Sequence, residues 1–386
     1  MSMSFQALHD GLYNALSKGL GFTPADNLQL IQPAAPLLAG PEADDALWGY
    51  FNSIPPLSLN HDYVASGGNQ FFSDYRCLFS ALQGQASAFK QVLGPEGIRA
   101  WKAQIRALPS PIPVRDLPQH FLSFAKTSRF ASFPAGVATK LDAMALDPIT
   151  AAQLALMLYE GDPTADPPIP DRKCDWNLGY VDLLAALQHA PPASFTVSSN
   201  TWNTDLARAW TRGNRFGPPS LVRDRRLPDV QSRKFDALFV SKGISLSATF
   251  KNVLRFLAVP GPWHHQAAFA IAFHQKGCPP WSPSSAISWM NTFDLESGNM
   301  ARFARTLVVV NQMHIVVTAD AAFGPADQQA LRSSAGKGVW PVYASSAAAR
   351  NDVAFDAGGR LTITITSQPN VPVVLGCTVV PAAQYI

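Results

Sequence analysis
From Ile244 to Pro260 the chain reads ISLSATFKNVLRFLAVP, with apolar and polar residues taking turns. Ile244, Leu246, Ala248, Phe250, Leu254, Phe256 and Ala258 share one parity. Ser245, Ser247, Thr249, Lys251 and Arg255 share the other, and Val253 is the apolar exception. Side chains alternate across a strand with period two, so the stretch predicts one long strand with an apolar face and a wet one. Similar patterns follow. Leu307 to Asp320 holds two apolar runs around Asn311–Gln312, which predicts a tight hairpin turn, since Asn tolerates positive φ. Val353 to Ser367 predicts a hairpin turning at Gly358–Gly359, with Leu361, Ile363 and Ile365 opposing Thr362, Thr364 and Thr366. Ser194 to Thr201 and Val371 to Val380 read as further strands.

Upstream of residue 190 the period changes. Phe5, Leu8, Leu12, Leu16 and Leu20 recur at steps of three and four, the stripe of an amphipathic helix. Further helical stretches are Phe71–Leu93, Glu96–Leu108, Leu117–Phe130, Thr150–Glu160 and Asp182–His189, and Asp327–Ser334 predicts a short one later on. The break at Pro95 and the stop at Pro109 follow from proline's fixed φ and missing donor. The expected fold class is α+β: a helical domain over 1–190 with Pro-rich loops, then an antiparallel β domain over 194–386, a sandwich or partly open barrel. Gly161–Arg172, rich in Pro and Asp, reads as a solvated linker; its aspartates lack the spacing of a calcium loop.

Composition adds one fact of consequence. Only 15% of the 386 residues are charged, against about 25% in an average soluble chain. Such a surface is neutral-polar, or part of it meets something apolar. A net charge of +3 is too small to signal nucleic acid, although Thr211–Lys234 is locally basic. Cys77, Cys174, Cys278 and Cys377 stand far apart without a CxxC pair and read as free thiols. The first residues carry no basic segment and no apolar block, so no cleavable signal is expected; synthesis is cytoplasmic, with non-classical export left open.

No pattern names a reaction. GxSxG and HExxH are missing from the sequence, SxxK has none of its partner motifs, and no metal or cofactor is expected. If there is a general base, His264, His265, His274 and His314 are the candidates. Loop-borne tryptophans beside prolines or near them, Trp263, Trp281, Trp289 and Trp340, are candidate binding residues, as Trp stacks on sugars and enters membrane interfaces. Phe250, Leu254 and Phe256 are the candidates for a membrane-inserting strand. The leading expectation is a non-enzymatic, toxin-like protein that engages membrane lipid or a glycan through its β domain. The alternatives are an enzyme acting on an apolar small molecule at a cleft between the domains, or a self-assembling structural subunit.

Overall fold
A computed structural model gives the fold, and it describes residues 5–55, 70–84, 86–110, 112–130, 132, 146–165, 167–199, 220–222 and 227–386. The protein is α+β, with a mostly antiparallel, curled sheet of seven strands. In chain order these are β1 (Leu28–Pro36), β2 (Ala193–Ser198), β3 (Ile244–Leu257), β4 (Arg302–Ala322), β5 (Ala349–Phe355), β6 (Arg360–Ser367) and β7 (Val373–Pro381). The order across the sheet is β1-β7-β4-β3-β2, and β6 joins β4 to β5.

The chain folds into two compact units, neither continuous in sequence. The first comprises Met1–Gly68, Leu178–Ala258 and Ala304–Val380; the second comprises Asn69–Asn177, Val259–Phe303 and Pro381–Ile386. The border expected near residues 190–194 lies inside the first unit, just before β2. Gly161–Arg172 lies inside the second, where Asp162 pairs with Arg99 at 2.8 Å and Asp171 with Arg76 at 3.1 Å.

The first unit is built on the sheet. The stripe of helix Phe5–Gly19 buries Phe5, Leu8, Leu12 and Leu16 against one sheet face, together with Ile244, Leu246, Ala248 and Phe250 of β3 and Met313, Ile315 and Val317 of β4. Trp340 and Phe239 close this core, their rings 5.7 Å apart. The locally basic stretch runs into a helix, Asp229–Phe239, whose Phe235 and Phe239 are drawn into the core. On it Lys234 binds Asp327 at 2.8 Å. Arg212, Arg215, Arg223, Arg225 and Arg226 lie outside the described residues.

Two features depart from the sequence pattern. Asn311–Gln312 is not a hairpin turn: β4 runs unbroken through it over 21 residues. Gln312 takes φ +48°, and its pair with Lys251 drops out of the ladder while the register stays the same on both sides. Across this point the inward parity changes. Even positions of β3 face the main core up to Phe250, but beyond Lys251 it is Val253 that joins it, with Val308 and Val310 opposite. Here the second face is covered too. Leu307 and Val309 are fully buried, and Phe256 packs 6.3 Å from Phe51. That double burial accounts for the continuous Leu307–Val310 run, since a strand covered on both faces need not alternate. The other departure is β1, which begins at Leu28 in a region of prolines and pairs with β7.

The second unit is helical. Helices Ala86–Arg106, Leu117–Thr127 and Pro148–Met157 share a core of Phe89, Trp101, Phe121 and Leu154. The first of these breaks at Gly94, whose φ of +62° precedes Pro95, as the sequence indicates. Beside it helix Phe71–Ala81 presents Phe71 and Tyr75 to Trp263, with ring centroids 5.1 and 5.4 Å away.

Candidate functional site
The wet face of the sheet in the first unit carries a lattice of hydroxyls. Antiparallel pairing aligns residues directly opposite one another, so the register defines rows running across five strands. One row is Thr196, Ser247, Val316, Thr364 and Asp352, from β2 through β3, β4 and β6 to β5. The next is Ser194, Thr249, His314, Thr366 and Arg350, and on the other side lies Ser198, Ser245, Thr318, Thr362 and Ala354. Every one of these residues is exposed or half-buried. Neighbours within a row stand about 4.8 Å apart and successive rows about 6.7 Å apart, the spacings of paired strands and of alternate residues.

Side chains tie the lattice together. His314 Nδ1 lies 3.2 Å from Thr366 Oγ1, and Thr249 Oγ1 donates to the carbonyl of His314 at 3.4 Å. Beside the Ser194–Arg350 row a concavity of about 330 Å³ is lined by Ser194, Thr249, Lys251 and Gln312, among others. The local departure from the ladder at Gln312 thus places an amide and an ammonium at the edge of the hydroxyl rows.

The four tryptophans do not join this face. Trp263, Trp281 and Trp340 are buried and Trp289 is half-buried. Each indole N–H is used internally: Trp263 donates to the carbonyl of Asp175 at 2.9 Å, Trp281 to Gln275 at 2.8 Å and Trp289 to Phe273 at 2.6 Å. Trp340 donates to His9 Nδ1 at 3.0 Å. Their nearby prolines shape loops that pack inward. Phe250 and Phe256 are likewise interior, at 1% and 3% exposure, and Leu254 is half-buried.

The histidines are dispersed. His314 belongs to the first unit. In the second, His264 and His265 precede helix Gln266–His274, and His274 ends it, about 1.5 Å of rise per residue further on. No group of three or more His, Cys, Asp or Glu side chains converges among the described residues. His264 is wedged among Phe71, Tyr75, Trp263 and Phe269. Its Nε2 is sealed from solvent without a hydrogen-bond partner, although part of the residue is exposed. Burial pulls its pKa down to about 3, with His265 adding to the shift, so the ring is neutral. His265 caps the helix, its Nδ1 accepting from Ala268 N at 3.2 Å. With that nitrogen occupied, the neutral ring carries its proton on Nε2 and is a donor rather than a base. Cys77, Cys174, Cys278 and Cys377 form no disulfide; Cys377 is buried, while Cys77 and Cys278 are exposed.

One carboxyl in the first unit gives a pH prediction. Burial pushes Asp236 up to about 6, against the opposing effect of hydrogen bonds from Leu221 N and Ser220 Oγ. The folded state therefore holds a proton that the unfolded chain releases near pH 4. The associated stability is full below about pH 4 and is lost as pH rises through 6. At about 1.4 kcal/mol per pKa unit the loss is of order 2 kcal/mol for a half-buried group. Asp236→Asn is expected to flatten this decline relative to the parent, read as the urea midpoint of the first unit from pH 4 to 7. Parallel curves for parent and variant would show that the carboxyl is ionised throughout.

Compared with known proteins, the chain matches no family model, no curated protein and no solved structure. What is established is an α+β chain with a hydroxylated sheet face in one unit and a histidine-bearing cleft in the other.

Proposed function
We propose that the chain is a non-enzymatic glycan-binding protein whose wet sheet face docks on an extended polysaccharide. The observation that supports this is the three-row lattice of Ser and Thr hydroxyls, continued by Asp352, His314 and Arg350 at matching register. Sugars present closely spaced hydroxyls that donate and accept, and Ser and Thr do the same. Each such bond contributes about 0.5–1.5 kcal/mol net, so one sugar is held weakly. A repeating chain engages several rows at once and multiplies the effect through local concentration. The concavity beside Lys251 and Gln312 would seat a single ring at the end of such a chain. A toxin-like insertion into lipid has less in its favour, because Ile244, Leu246, Ala248 and Phe250 of β3 face inward and Ser245, Ser247 and Thr249 face outward.

The test is depletion of the protein from solution by particles of cellulose, chitin or starch, with neutral and anionic vesicles run in parallel. Retention on a polysaccharide is expected, and it should fall at least tenfold for the variant Ser247→Ala, Thr364→Val, Thr366→Val. Exposed changes of this kind alter stability by about 0.5 kcal/mol or less each, so that variant should keep the parent's circular dichroism. Retention by none of the particles, or equal retention of parent and variant, would remove the reading. Sedimentation with vesicles alone would replace it with lipid binding.

A further inference from the structure
The hydroxyl rows of the first unit are not uniform in charge. The concavity of about 330 Å³ beside Ser194 and Thr249 has Lys251 on its wall, and no carboxylate lines it among the described residues. Lys251 is exposed and takes part in no ion pair among those residues. At the far end of the same row Arg350 is already bound to Asp352 at 2.9 Å. Counted by strand and residue spacing, Asp352 and Asp320 on this face stand about 20 Å or more from Lys251. That exceeds the screening length of about 8 Å at physiological salt. The concavity is therefore a positive spot on an otherwise neutral, hydroxylated surface.

A second observation falls at the same place. Gln312, also on the wall, holds φ +48° in the middle of β4. A non-glycine residue rarely takes positive φ, and such conformations cluster at ligand sites, where the surroundings hold them. Pairing between Gln312 and Lys251 is interrupted here, and the rows end. Beyond them the strand is covered: Asn252 Nδ2 donates to the carbonyl of Ala190 and Val253 N to that of Pro191, both at 2.8 Å. Pro192 lines the concavity next to this cover. The result is a seat that opens onto the hydroxyl rows and is walled behind.

We propose that the polysaccharide which the sheet face binds, if it docks one as proposed above, is a polyuronate, with one uronate ring in this seat and its carboxylate on Lys251. A uronate carries its carboxylate on the same ring as its hydroxyls. A ring hydrogen-bonded to Ser194 and Thr249 brings that carboxylate towards Lys251, two residues along β3 from Thr249 and about 6.7 Å away. The Gln312 amide supplies both a donor and an acceptor to the same ring. One ammonium matches one carboxylate. A densely sulfated chain presents more negative charge than a single lysine can meet, and a neutral chain leaves the ammonium without a counter-charge.

Depletion of the full chain from solution by beads of polygalacturonate, of its methyl ester and of dextran sulfate tests this. The ester keeps the backbone and removes the charge. Charge-assisted hydrogen bonds exceed neutral ones but are weakened by exposure, so polygalacturonate should be retained about fivefold more tightly than its ester. Lys251→Gln should bring polygalacturonate down to the level of the ester and leave retention by the ester unchanged, while Lys251→Arg keeps the preference. Lys242→Gln, which removes an exposed charge elsewhere in the first unit, should behave as the parent. All three changes are at exposed positions and should leave the melting temperature in place. Equal retention by polygalacturonate and its ester would overturn the polyuronate assignment and leave glycan binding standing, whereas retention by no polysaccharide would remove both. Tighter retention by dextran sulfate, or an equal loss in Lys242→Gln and Lys251→Gln, would overturn the assignment as attraction by net charge alone.

Discussion

Phe250→Asp is expected to unfold the first unit outright. Phe250 is 1% exposed, sits opposite Met313 on β4 and Ala193 on β2, and its ring lies 6.4 Å from that of Phe195. Removing a buried Phe side chain costs about 3–5 kcal/mol, and putting a carboxylate in its place adds several more, since no partner is there to receive it. Domains have only about 5–15 kcal/mol to lose. Thr249→Asp, one residue away on the wet face, should change stability by about 0.5 kcal/mol. Circular dichroism and urea denaturation of the pair would show a missing sheet signal in the first and a near-parental midpoint in the second. A folded Phe250→Asp protein would mean that β3 turns its other face inward.

Trp263→Ala carries the largest expected effect in the second unit. The residue is fully buried, with Phe71, Phe72, Tyr75 and Trp176 at centroid distances of 5.1 to 5.6 Å. Truncation of such a side chain costs about 3–5 kcal/mol. The carbonyl of Asp175 also loses one of its two donors, worth about 1 kcal/mol, and keeps Gly261 N. Trp263→Phe, which keeps an aromatic ring and loses only the N–H and part of the volume, should cost about half as much. Urea midpoints of the three proteins check the order parent, Phe, Ala. A Trp263→Ala variant as stable as the parent would place the indole on a surface free to bind.

Much of the sheet was legible in the sequence because alternation reports burial directly. β3, the β5–β6 hairpin and β7 follow from it, as does the break at Gly94–Pro95. β1 was not, because Pro33 and Pro36 within LQLIQPAAP argue against a strand. The inward parity of β3 was readable only as far as Lys251; beyond it the change depends on Gln312 adopting positive φ, which a glutamine does not announce. The tryptophans illustrate a different limit. A Trp near a proline looks the same whether its loop points out or packs in, and only the partners of its N–H decide. The cleft was illegible for a third reason. Its wall is assembled from residues 113–116, 146–151 and 264–270, and the helix at 266–274 is too uniformly apolar and short to show a stripe.

Of all these features, the pairing of β1 with β7 weighs most on how the chain comes to be folded. Leu28 faces Thr378, so the sheet's outer edge brings together residues from opposite ends of the chain. The path also passes between the two units at residues 68–69, 177–178, 258–259, 303–304 and 380–381. A ribosome delivering the chain at about 5–20 residues per second releases the partner of β1 last, after both insertions that build the second unit. The early apolar strand must therefore wait tens of seconds with its ladder unmade, an interval that invites a chaperone. Contacts this distant also slow closure of the sheet once the chain is free. Expression at lower temperature, or with a holding chaperone in excess, is where soluble yield should respond first.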